Sequence, residues 1–114
     1  MIPAAILVCA IAAWQPLGEK NISAYDAGAC CCGKWAGGGT FADGSSVKGQ
    51  ALKVVAAPKG IPFGTTLYIE GVGPIAVRDR GGAIKGDKLD LYMNTHKQAL
   101  QWGRQHRQVW IWKD

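Results

Sequence analysis

Two aspartates, Asp79 and Asp90, stand on either side of a glycine-rich turn, in the run Val77-Arg78-Asp79-Arg80-Gly81-Gly82-Ala83-Ile84-Lys85-Gly86-Asp87-Lys88-Leu89-Asp90-Leu91-Tyr92. Paired carboxyl groups suit general acid and base work, provided the chain brings them to one face. Asp79 ends an apolar stretch. Gly81 and Gly82 permit a sharp reversal, Gly86 permits a second, and Asp90 then lies between two leucines. Alternation along a strand sends Leu89 and Leu91 toward a core and Lys88, Asp90 and Tyr92 to the opposite face, which is the candidate active surface. The plainer alternative is an Asp that shapes a turn and a second Asp on the wet face of an edge strand.

The unbroken string Asp79-Arg80-Gly81-Gly82-Ala83-Ile84-Lys85-Gly86, followed by Asp90 on the next strand, resembles the three-aspartate domain of membrane-bound lytic transglycosylase A and of small bacterial and phage wall enzymes. The likeness extends over residues 20–113. Cys31-Cys32-Gly33-Lys34-Trp35 is similar to the cysteine-containing loop of such domains, and Thr40-Phe41-Ala42-Asp43-Gly44 to the turn that follows it. The sequence departs from the family at Ala57. There the family commonly has the first of its three acids, before an Ile-Pro-x-Gly turn that is here Ile61-Pro62-Phe63-Gly64.

The resemblance implies a mostly β fold, a six-stranded double-psi barrel, and cleavage of the β-1,4 bond between N-acetylmuramic acid and N-acetylglucosamine in peptidoglycan. In that reaction the sugar's own C6 hydroxyl closes on C1 to leave a 1,6-anhydro end. It implies Asp90 as the catalytic acid and base, with Asp79 orienting the sugar or tuning Asp90. Lys85, Gly82, Ala83, Tyr92, Lys34, Trp35, Thr40 and Asp43 would line the glycan groove. Trp35 would stack on a sugar face or pack on the barrel, and Asp43 would line the groove or make a turn. Two rivals stand beside this reading: a non-cutting, wall-glycan-binding barrel like those of expansins and rare lipoprotein A, and a hydrolase that uses the two acids to activate water.

Acid work near pH 6 requires Asp90 to titrate well above the ordinary aspartate value near 3.9. Burial and repulsion from Asp79 would raise it, while Lys85 or Lys88 nearby would lower it.

The elements that must hold these groups follow from composition and pattern. A chain of 114 residues makes one domain; with 48% apolar residues and mean hydropathy near zero it has the composition of a folded protein. Sixteen glycines and five prolines point to many turns. Six strands are expected to begin near Asn21, Gln50, Thr65, Gly73, Lys88 and Gln108. A short helix from Lys97 to Trp102 should be capped by Thr95 and closed by Gly103, with Ala99, Leu100 and Trp102 as packing residues. Val109 and Ile111 alternate with Trp110 and Trp112.

Residues 1–18 form an apolar leader and 19–114 the barrel. The leader's apolar run is too short for a bilayer, which needs about 20 residues. It fits a signal-peptide core and an Ala10-Ile11-Ala12 cleavage pattern, although it has no basic residue ahead of it. Export to the periplasm, envelope or exterior follows, or a phage-encoded role on a host wall. The net charge of +5 favours polyanionic neighbours. Its lysines and arginines are scattered, which does not mark a nucleic-acid site. Cys30, Cys31 and Cys32 lack the paired spacing of a zinc site, so no metal or other cofactor is expected, and they leave disulfide pairing open. His96 and His106 read as surface or capping residues. A monomer with an open, shallow groove completes the expectation.

Overall fold

A computed structural model describes residues 13–26 and 39–113. Residues 1–12 of the leader, all four cysteines, Lys34 and Trp35 lie outside the described residues. Six strands and one helix follow in the order β1 (Trp14–Tyr25), β2 (Val54–Ala56), β3 (Thr66–Ile69), β4 (Gly73–Asp79), β5 (Lys88–Tyr92), α1 (His96–Trp102) and β6 (Gln105–Trp112). They close into a barrel in the order β1-β5-β2-β4-β3-β6. Pairs β1/β5 and β2/β4 are parallel, and the other four are antiparallel. Closure leaves no free strand edge.

Strict alternation builds the core. Ile22, Val55, Leu67, Ile69, Ile75, Val77, Leu89, Leu91, Val109 and Ile111 fill the interior. A second cluster, Tyr25, Phe41, Val54, Ala56 and Tyr92, lies on the outer face of β1, β5 and β2. Its rings meet edge to face, Tyr25 against Tyr92 at 5.5 Å and Phe41 against Tyr92 at 5.0 Å. The loop that carries Phe41 is held across its base by the Thr40–Ser46 bridge.

Several expectations are corrected. The first strand begins at Trp14, not near Asn21, and so crosses the 18/19 boundary drawn between leader and barrel. Its N-terminal half pairs with β6, with Trp14 opposite Trp112 and a bulge between Pro16 and Gly18. Trp14 sits edge-on to Trp112 at 5.2 Å and to Tyr68 at 5.9 Å. Residues 50–53 are turn, and β2 is only the three residues Val54–Ala56. β6 starts at Gln105 rather than Gln108. The helix is capped as expected: the Thr95 hydroxyl accepts from the Gln98 amide, and the Gly103 amide donates to Ala99 O. Ala99 is buried and the Trp102 indole donates to Ile22 O at 2.8 Å, but Leu100 is 68% exposed and packs nothing. His96 lies 3.9 Å from Asp26 and His106 3.5 Å from Glu19, both across elements.

Candidate active site

The acids meet through register rather than through the turn alone. On β1/β5 Ser23 is opposite Asp90, on β5/β2 Asp90 is opposite Ala56, and on β2/β4 Ala56 is opposite Asp79. Ser23, Asp90, Ala56 and Asp79 therefore form one row across four adjacent strands. One strand separates the two acids, which places their backbones roughly 10 Å apart.

Asp79 reaches that row because β4 carries a bulge. Val55 is opposite Val77, yet the next residue, Ala56, is opposite Asp79, so Arg78 is the extra residue. Simple alternation with Ile75 and Val77 would turn Asp79 into the barrel. The bulge re-aims it to the outer face.

Once there, Asp79 is held from three sides. Its Oδ2 accepts from the Tyr25 hydroxyl at 2.5 Å; its Oδ1 accepts from the Ala42 amide at 2.9 Å and the Arg80 amide at 3.0 Å. Asp43 anchors the loop that supplies Ala42. Its amide donates to Arg78 O at 3.1 Å, and its carboxylate takes the Ser45 hydroxyl and amide and the Arg78 guanidinium at 3.3 Å. Burial would raise the Asp43 carboxyl, but the Ser45 bonds and Arg78 outweigh it and hold Asp43 below the usual carboxylate range. Asp43 and Thr40 thus build the loop over Asp79, and Thr40 is exposed at its base.

Asp90 is in the opposite situation. The Ser23 hydroxyl donates to its Oδ1 at 2.9 Å, and no other side chain or amide among the described residues is bonded to it. Burial pushes its carboxyl up to about 6; the Ser23 bond opposes this, the charge of Asp79 adds to it, and Arg104 opposes it. Arg104, just past α1, therefore plays the part expected of Lys85 or Lys88. Below about pH 6 the group is a carboxylic acid, with Oδ2 available to deliver a proton.

Tyr92 shares the outer face with Asp90, as alternation predicts, but at 5% exposure it is packed beneath Tyr25 and Phe41 and forms floor rather than open lining. The turn stands beside the row. Gly81 must be glycine because a Cβ would lie 2.9 Å from Ile84 Cγ1, and Gly86 because its φ is 65°. Gly82 meets neither demand. Ala83 is exposed. Gly82 and Lys85 line a hollow of about 590 Å³ that also takes in Ala57, Lys59 and Arg80. Ala57 is fully buried there, its amide donating to Asp79 O at 3.2 Å and its carbonyl accepting from Arg80 at 3.3 Å. A second hollow of about 440 Å³ lies beside Trp102 and Leu52, and neither hollow is lined by an acid of the row.

Sequence reasoning missed Ser23, Tyr25 and Arg104. Alternation in Asn21-Ile22-Ser23-Ala24-Tyr25 sets Ser23 and Tyr25 on one face opposite buried Ile22, but only the parallel β1/β5 register shows which residues they meet. Among the described residues, no three His, Cys, Asp or Glu side chains are gathered so as to hold a metal ion. No helix among them is long and apolar enough to cross a membrane.

Comparison with known proteins fits this geometry. The 3D domain family model matches residues 53–113. The chain belongs to the 3D domain family. It is 42% identical over 57 residues to the cell wall-binding protein YocH of Bacillus subtilis, a match covering 49% of this chain and 20% of that protein. It is 37% identical over 67 residues to the putative cell wall shaping protein YabE of the same organism, covering 57% of this chain and 16% of that one. Among solved structures it is similar to MltA from Escherichia coli, described as having a unique lytic transglycosylase fold. The TM-score is 0.53 and the identity 28%, over 65% of this chain and 27% of that one. The chain thus spans about a fifth or less of these curated relatives. Asp79, Asp90 and Arg104 fall inside the 3D domain match, whereas Ser23 and Tyr25 fall outside it.

Proposed function

We propose that this 3D domain barrel is a peptidoglycan lytic transglycosylase acting at the envelope or outside the cell, as a monomer and without a metal. The observation that carries this reading is the row Ser23, Asp90, Ala56, Asp79, in which one acid is pinned by three donors and the other is pushed up to about 6 with an oxygen to spare.

The Asp90 carboxylic acid gives its proton to the oxygen that links N-acetylmuramic acid to N-acetylglucosamine, and the C1–O bond breaks. Asp79, fixed by Tyr25, Ala42 and Arg80, presents negative charge to the oxocarbenium-like carbon. The Asp90 carboxylate then takes the proton of the C6 hydroxyl as its oxygen closes on C1, so the acid is regenerated and a 1,6-anhydro end is left. A water-activating pair would also fit acids two strand spacings apart. The three donors on Asp79 favour a fixed electrostatic role over that of a base.

A second reading, wall binding without cleavage, is favoured by the likeness to a cell wall-binding protein and by Ala57 in place of the family's first acid. Mass spectrometry of purified peptidoglycan after incubation separates the readings. Anhydro ends support the transglycosylase, new reducing ends a hydrolase, and retention without fragments a binding barrel.

A further inference from the structure

The hollow beside the glycine turn has a charge pattern unlike that of the acid row. Lys59, Arg80 and Lys85 line it, and none of its lining residues is acidic. The two arginines that flank Asp79 show the contrast. Arg78 is matched by Asp43 at 3.3 Å. Arg80 is held instead by neutral acceptors, the carbonyls of Ala57 and Asp79 at 3.3 Å each and of Ile61 at 2.6 Å, with the Phe63 ring 4.2 Å below its guanidinium carbon. Those partners orient the guanidinium and leave its charge uncancelled. Among the described residues neither Lys59 nor Lys85 is in an ion pair, and both are exposed. One fixed and two flexible cations around a concave space favour an oxyanion, by the same physics that pairs Arg and Lys with carboxylates elsewhere.

Position narrows the source. Arg80 directly follows Asp79, and its guanidinium bonds the Asp79 carbonyl, so the hollow opens one residue beyond the acid row. A group that fills it must be attached close to the sugars lying on that row. The N-acetylated sugar backbone is neutral, whereas the peptide stem that branches from it carries free carboxylates. A space of about 590 Å³ admits a short stretch of peptide, not only one carboxyl group.

We propose that the hollow formed by Lys59, Arg80 and Lys85 is a subsite for a stem-peptide carboxylate of the glycan strand engaged by the acid row. This rests on the wall-glycan reading above and adds to it a preference for strands that bear charged stems.

The test uses the full chain and insoluble peptidoglycan freed of teichoic acid, either native or with its carboxylates converted to methylamides. Wild type should be retained about five- to thirtyfold more strongly on the native material, the scale of two or so exposed charge pairs. Lys59→Ala/Lys85→Ala should lose most of that discrimination, keeping only the roughly two- to threefold that Arg80 alone supplies, the scale of one exposed charge pair. Lys48→Ala/Lys97→Ala, which removes equal charge away from the hollow, should keep the discrimination. Equal retention of wild type on both materials overturns the proposal, as does loss of discrimination in the control variant. Displacement of wild type by soluble teichoic acid at concentrations where free stem peptide has no effect would assign the hollow to phosphate and overturn the stem assignment. Anhydro ends counted in the same tubes report on cleavage separately, so a barrel that discriminates by charge without cutting would keep this inference and lose the transglycosylase.

Discussion

Asp79 and Asp90 lie in one row of one barrel, one strand apart, and are treated in opposite ways. Asp79 accepts three hydrogen bonds from three separate segments, β1, the 40–46 loop and its own strand end. Asp90 accepts one, from Ser23, and burial keeps its carboxyl near 6. A carboxylate bound on all sides is a fixed acceptor. One that is buried with an idle oxygen is suited to carrying a proton. The difference is what supports the proposed roles, Asp79 to position and stabilise charge and Asp90 to move the proton.

The sharpest break of this contrast is Asp90→Asn. Release of anhydro fragments from purified peptidoglycan should fall by about two to four orders of magnitude, the usual worth of a general acid. The same variant should be more stable than wild type at pH 7. A folded-state value near 6 against an ordinary value of 3.8 means that the folded protein holds the proton more tightly than the unfolded chain does. Asp90 therefore costs no stability below about pH 4, becomes increasingly destabilising up to about 6, and costs a constant amount above. That constant is about 3 kcal/mol as an upper bound, and less after solvent screening of this half-buried group. A rise in melting temperature at pH 7 that vanishes at pH 4 would show the effect.

Asp79→Asn comes next. With the Asn Oδ1 kept on the Ala42 and Arg80 amides, its Nδ2–H would meet the Tyr25 hydroxyl, which would turn from donor to acceptor; three charge-assisted bonds become neutral ones, at a cost of about 1 kcal/mol and with a looser loop over the site. Activity should fall about a hundredfold. The Asp90 carboxyl should also titrate lower, because a neighbouring negative charge is gone; its carboxyl resonance in NMR would report this.

Tyr25→Phe removes one of the three donors while keeping the ring against Tyr92, and should cost about 1 kcal/mol and roughly tenfold in turnover. Smallest is Ser23→Ala. The bond it removes favours the charged form of Asp90, so the carboxyl should rise further and activity should extend to higher pH, at a stability cost of about 1 kcal/mol. A shift to lower pH would break the assignment of Ser23.

Much of this frame was legible in the residues. The strand from Lys88 and the helix that Thr95 caps follow from alternation and from end signals. The glycine string marked where the acids turn back, and the structure gives Gly81 and Gly86 separate reasons, a close approach to Ile84 and a positive φ. What sequence did not show depends on distant pairing. Nothing in Val77-Arg78-Asp79-Arg80 announces that Arg78 is looped out, because the bulge exists only relative to β2. Ser23 finds Asp90 across 67 residues through a parallel register that no local pattern encodes. Tyr92 alternates correctly yet is buried, since Phe41 arrives over it from another loop. Leu100 looked like packing by residue type, and lies on the solvent side of a helix too short to bury two faces.

The pH dependence of anhydro-end release between pH 4 and 8, followed with purified peptidoglycan, tests the proton-carrier role of Asp90 most directly. Turnover should decline about tenfold per pH unit above a midpoint near 6. A rate that stays level or climbs across that range would mean that Asp90 does not supply the proton.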